Sequence, residues 1–110
     1  MTANKHDTGK PRASLLPFHA MNDVLAVLEF GAAKYGDHNY RTGMCFSRCF
    51  DAAIRHLWAW ARGEESDAES GLPHLAHAAV NCLFILEWAK GGVGEDDMWH
   101  HSPQGAPNED

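Results

Sequence analysis

The sequence predicts an all-α fold, a compact helical bundle with an antiparallel helix hairpin at its centre. Three long stretches repeat apolar residues at helical spacing. Clusters of Gly, Pro, Asn and Asp separate those stretches. The segment around Val80, Phe84 and Ile85 would suit a strand, but it belongs to a run too long and too rich in Ala and Leu for one.

Residues 1–14 are polar, contain Gly9 and Pro11, and have no apolar period, so they are expected to form a flexible N-terminal segment. The helical domain is expected over residues 15–92. Pro17 stands where a helix start tolerates a missing N–H. Ala20, Val24, Val27, Leu28 and Ala32 then mark a first helix over residues 19–34. Gly36, Asp37, Asn39 and Gly43 make a loop. Ser47 would cap a second helix reaching about residue 62, with Phe46, Phe50, Ala53, Leu57 and Trp60 as its core stripe. Ile54, Trp58 and Ala61 widen that stripe, and a helix apolar nearly all round is expected to be buried on several sides. Trp58 and Trp60 fall on different faces, so one is expected in the core and the other at a subunit contact or beside a base. Gly63 ends the helix, and residues 63–73 form an acidic turn. Pro73 opens a third helix to about residue 90, with Leu75, Ala78, Ala79, Cys82, Leu83 and Leu86 as its core stripe. Gly91, Gly92 and Gly94 stop it. Residues 93–110 are acidic, carry Pro103, Gly105 and Pro107, and are expected to be a disordered tail.

Composition narrows the function classes. A chain of 110 residues with 45% hydrophobic content is expected to form one globular domain. A monomer of this size buries only about 60–70% of its unfolded surface, so a thin core makes a homo-oligomer, a dimer or tetramer, the expectation. No apolar run reaches the ~18 residues of a membrane span, and the polar N-terminus is no secretory signal. The cytoplasm is the expected compartment. Cys45, Cys49 and Cys82 are odd in number without CxxC spacing, as for reduced thiols. A net charge of −6 argues against direct nucleic-acid binding, which needs a basic face. A small anionic ligand is still admissible, because local cations or a metal reverse the local sign.

The stretch from Asp51 to His77 holds the chemistry. His74, His77 and Asn81 share one face of the third helix, and Asp51 and Arg55 share one face of the second, with His56 beside them. The turn adds Glu64, Glu65, Asp67 and Glu69. An antiparallel hairpin would bring these carboxylates and imidazoles together, as helical bundles do when they build metal sites. A divalent metal there could hold phosphate oxygens and activate water. The plainer reading, hydrogen-bonded core histidines and a solvated acidic turn, stays open beside it. In the loop KYGDHNY, Lys34 could meet a phosphate, Tyr35 or Tyr40 could stack on a base, and Asn39 could read base edges, unless Gly36 simply caps a helix. Lys10 and Arg12 make a basic GKPR segment that lacks the P-loop pattern.

The ordered series KPR-x-x-LLP, FGAAKYGDHNY, DAAIRHLWAWARGE and D-x-ESGLPHLAHAAVN resembles the phage dATP/dGTP diphosphohydrolase family, MazZ-type enzymes included, over roughly residues 9–90. That family is related to the all-helical MazG-like pyrophosphohydrolases. The resemblance implies a MazG-like bundle that cleaves a purine (deoxy)nucleoside triphosphate to monophosphate and pyrophosphate with Mg²⁺ or Mn²⁺. In MazZ-type phages this serves 2-aminoadenine nucleotide metabolism. MazG-like enzymes carry E-x-x-E on one helix and E-x-x-D on the next, whereas the matching positions here are Asp51 and Arg55, then His74 and His77. A histidine-rich site favours a softer metal such as Zn²⁺, Fe²⁺ or Ni²⁺.

With that resemblance, Asp51, Asp67, Glu69, His74 and His77 are the expected metal ligands. Asp51, Arg55 and Glu64 are the expected catalytic residues, with Glu64 orienting the attacking water. Lys10, Arg12, Lys34, Asn39, His56 and Asn81 are expected to bind substrate. Two rival readings are a metal phosphohydrolase releasing phosphate or triphosphate, and an inactive nucleotide-binding or assembly protein.

Overall fold

The computed structural model describes residues 3–100. Its helices are α1 (Phe18–Tyr35), α2 (Phe46–Ala61) and α3 (His74–Gly91), with single 3₁₀ turns at Ala13–Leu15 and Asn39–Thr42. No strand occurs among the described residues, which carry only isolated bridges such as Cys45 with Glu95.

Each helix ends where local chemistry stops it. Gly36 takes φ 98° after α1 and returns its N–H to the Ala32 carbonyl at 2.7 Å. Gly92 enters the left-handed region at φ 70° after α3, and the N–H of Val93 also returns to the Trp88 carbonyl. Ser47 does not cap α2. It is the second helical residue, and its amide and hydroxyl donate to the two carboxylate oxygens of Asp97 at 2.9 and 2.6 Å. The cap of α2 is thus supplied from 50 residues away, by the segment expected to be a loose tail.

Residues 93–98 are therefore part of the folded body. The Phe46 amide donates to the Glu95 carbonyl at 2.8 Å, and the Glu95 amide to Met44 at 3.2 Å. Val93 and Met98 pack on the core. The expected tail beyond residue 100 lies outside the described residues.

α3 is the central helix. Val24 and Val27 of α1 pack on its Ala76 and Val80. Phe46 and Cys49 of α2 pack on its Trp88. His56 meets His74 at one end of the α2–α3 pair while Cys49 meets Trp88 at the other, so the pair is the expected antiparallel hairpin. Trp88 is 1% exposed and donates its indole N–H to the Tyr40 carbonyl at 2.7 Å. It takes the core place expected for Trp58 or Trp60, both of which are exposed. The predicted core stripes are also rotated. Of the α2 stripe, Phe46 and Ala53 are buried while Phe50, Leu57 and Trp60 are exposed. Of the α3 stripe, Ala78 is buried while Leu75, Cys82, Leu83 and Leu86 are exposed. Besides Phe46, Trp88 and the valines, the buried contacts between helices are made by small residues and His74, while Phe50, Leu57, Leu75, Leu83 and Leu86 point outward.

Candidate functional site

α1 and α2 both pack on α3, and a groove of about 880 Å³ opens between them, floored by α3. Its walls carry Lys34 from α1, Arg48 and Arg55 from α2, and His77 and Asn81 from α3. Tyr35, Asn39 and Tyr40 line its rim, and His56, Asp67 and Glu69 its end. Eight expected residues from five chain segments, Lys34, Asn39, Arg55, His56, Asp67, Glu69, His77 and Asn81, thus share one cavity.

The turn between α2 and α3 is ordered by Asp67. Its Oδ2 accepts the amides of Glu69 and Ser70, each at 3.0 Å. Its own N–H donates to Leu72, and the His74 amide reaches back to the Glu65 carbonyl at 2.9 Å. Burial raises the Asp67 carboxyl, but the Ser70 amide, the His77 imidazole, the Glu69 amide and His56 outweigh it and leave its pKa lowered. This turn fixes where Asp67 and His74 stand.

Three histidines meet beside it. His56 Nδ1 lies 2.8 Å from His74 Nδ1, and His74 Nε2 lies 2.8 Å from Glu64 Oε2. The ring of His77 stacks on His56 with centroids 4.6 Å apart, and its Nε2 lies 2.7 Å from the Ser70 hydroxyl. Burial lowers the pKa of both His56 and His77. Nearby, Lys34 Nζ meets Glu69 Oε2 at 2.5 Å, joining the end of α1 to the turn. Asn81 Nδ2 donates to the His77 carbonyl at 2.9 Å.

Other expected residues stand elsewhere. Asp51 is exposed, outside both the groove and the histidine cluster. At about 100° per residue it lies roughly 200° around α2 from buried Ala53, on the side away from α3. It does not face the histidine pair, as an Asp51–His77 arrangement required. Lys10 and Arg12 line a separate shallow depression formed by residues 7–14. Glu64 holds His74 and is not part of the groove wall. His56, expected to touch substrate, stands with Asp67 and His74, one ligand atom of each within 4.8 Å of the others. Arg48 in the groove and Ser70 beside the histidine cluster were not among the expected site residues. Arg48 could have been found, since it sits one heptad before Arg55 and so on the same face. Ser70, which touches His77, gives no such signal.

Fold and site together define a small all-α protein whose helices line an aromatic groove of mixed charge, with an imidazole and carboxylate cluster beside it. The chain belongs to the family described as dATP/dGTP diphosphohydrolase, N-terminal, whose model matches residues 1–98. A dATP/dGTP diphosphohydrolase of Salmonella phage PMBT28 is 39% identical over 97 residues, which is 88% of this chain and 33% of that protein. The chain thus spans about a third of the length of that curated relative. No solved structure matches. No helix among the described residues is long and apolar enough to cross a membrane.

Proposed function

We propose that the groove binds a purine deoxynucleoside triphosphate, dGTP or dATP, and that the chain hydrolyses it to the monophosphate and pyrophosphate. The observation that carries this is the convergence of Lys34, Arg48 and Arg55 on one groove that ends at His56, Asp67 and His77. Four carboxylates, Glu29, Asp37, Asp67 and Glu69, share the groove, so the three basic side chains would supply donors to phosphate oxygens and a bound cation the remaining positive charge. The name of the phage relative supports the choice of substrate.

The residues divide by chemistry. Arg48 and Arg55 present planar donors suited to phosphate oxygens. Lys34 would exchange Glu69 for a phosphate. Tyr35 and Tyr40 offer ring faces to a purine, and Asn39 and Asn81 offer amides to its edge or to the sugar. A divalent metal, Mg²⁺ or Mn²⁺ or a softer ion, would neutralise phosphate charge and make bound water acidic enough to attack. Asp67 and the neighbouring imidazoles fit a cation, being one carboxylate and two ring nitrogens that converge in a largely buried place. The phage role in 2-aminoadenine nucleotide supply is part of the same proposal. So is a homo-oligomer in the (host) cytoplasm.

The test is a panel of dNTPs and NTPs against Mg²⁺, Mn²⁺, Co²⁺ and Zn²⁺, with products identified by mass. Monophosphate and pyrophosphate from dGTP or dATP are expected, with Arg48→Ala raising KM at least about tenfold. Triphosphate or single phosphates as products would replace the linkage, and binding without products under every metal would make this a binding or assembly protein.

A further inference from the structure

We infer that His56, Asp67 and His74 form a transition-metal site in which both imidazoles bind through Nδ1 and Glu64 holds His74 from behind. Two ring nitrogens 2.8 Å apart must share either a proton or a cation. On a tetrahedral zinc with ordinary bond lengths they would stand ~3.3 Å apart, so the pair need open only slightly. The hydrogen bonding around them fixes the free lone pair. Glu64 Oε2 can only accept as a carboxylate, so His74 Nε2 carries a proton, and in the neutral ring a cation needs, His74 Nδ1 points its lone pair at His56. A carboxylate on the far nitrogen of a ligating histidine is how metal sites orient that ring and raise its basicity. The third ligand is placed independently. Both amide bonds to Asp67 land on Oδ2, which leaves Oδ1 for a cation. His77 stacked on His56 fixes the plane of that ring, while Ser70 occupies its own Nε2.

Two imidazoles and one carboxylate are three protein ligands, with a fourth position left for water, as in catalytic zinc sites. That donor set selects Zn²⁺, Co²⁺, Ni²⁺ or Fe²⁺ over Mg²⁺, which demands oxygen ligands in an octahedron. His74 is 4% exposed, so the ion would sit at the base of the hairpin rather than on its surface. It would join α2, the turn and α3. The inference deepens the proposed hydrolytic reading, because His56 and Asp67 close one end of the groove, but it is measured without nucleotide.

The experiment strips the full chain with a chelator, then titrates it with Zn²⁺ against a chromophoric competitor and with Co²⁺ by its visible d–d bands. One ion per chain is expected, with the intense bands of a four-coordinate Co²⁺. His56→Ala and Asp67→Asn should each weaken uptake at least about 100-fold, and Glu64→Gln about 10–100-fold with the stoichiometry kept. The Asp67→Asn side chain still offers an oxygen to the Ser70 and Glu69 amides, so it tests the ligand without dismantling the turn. Cys82→Ser should change nothing, which removes the exposed thiol as a source. No uptake, or uptake unaltered in His56→Ala and Asp67→Asn, would overturn the site and leave a proton-sharing imidazole pair. Metal uptake without hydrolysis of any nucleotide would count against the hydrolytic reading alone.

Discussion

At the scale of single residues, His56 and His77 are imidazoles held in places that favour their neutral forms. For His56 burial is the main cause, followed by the facing rings of His77 and His74 and by Arg55, against the pull of Asp67. For His77 it is burial, then His74, against Asp67 and Glu69. In the unfolded chain both would titrate near 6.5. The folded state binds those protons less readily, so between the folded and unfolded pKa values the unfolded state carries more of them. The stability these residues contribute is therefore complete above about pH 6.5 and is lost as the pH falls through their folded values. Melting of the metal-free chain, followed by circular dichroism at steps from about pH 8 to 5, should show the midpoint falling over the acid part of that range. The fall should be shallower in His77→Gln, and an identical slope in wild type and variant would refute the assignment. Residue type was legible at these positions before any coordinates. His56, His74 and His77 stand inside apolar helices and needed partners. Which partners was not legible, because Asp51 and Asp67 are equally acidic in the sequence. Only the rotation of α2 about its axis and the Asp67 turn decide between them.

At the scale of elements, the three helices were readable to within one or two residues. Their signals are local: an apolar period, Pro17 and Pro73 at starts, Gly36 and Gly92 at ends. What closes the fold at the other end of the hairpin is not local. Residues 43–46 and 94–97 run together, and backbone meets backbone where Gly43 approaches Gly94. A Cβ built on Gly94 would lie 2.7 Å from the Met44 carbonyl oxygen, and one on Gly43 would lie 2.7 Å from the Gly94 nitrogen. Gly94 also holds φ 78°, where an L side chain is strained. Neither neighbour is a flexible side chain that could give way. Gly94→Ala should cost about 2–3 kcal/mol, read by urea denaturation, and should loosen Asp97 from the start of α2. A change within ~0.5 kcal/mol would mean that the residue 93–98 strap adds nothing to the bundle. The sequence reading took Gly94 as a helix stop, and its role as a contact depends on a pairing across some fifty positions that no local pattern encodes.

At the scale of the whole molecule, the rotated stripes bear on assembly. Phe50, Ile54 and Leu57 follow i, i+4, i+7 spacing on α2, and Leu75, Leu83 and Leu86 form a matching row on α3. None of them lines the groove, so both rows belong to the hairpin face turned away from it. An apolar period marks a face without saying what covers it, and within one chain these rows stay exposed. Leu83 is 44% exposed and Leu86 53%, in a row with no charged residue among its members. Each such side chain withdrawn from water would contribute about 1.5–3 kcal/mol when fully covered. A second copy using the same face about a two-fold axis would set hairpin against hairpin and complete the core that one chain leaves open. The groove, on the opposite side, would stay accessible in both copies. Wild-type chain should therefore elute as a dimer or higher oligomer in size exclusion with light scattering. The double variant Leu57→Glu, Leu83→Glu places two carboxylates on that face and should run as a monomer that keeps its helical circular dichroism. A wild type that remains monomeric as its concentration is raised would show that α2 and α3 carry those rows for some other partner.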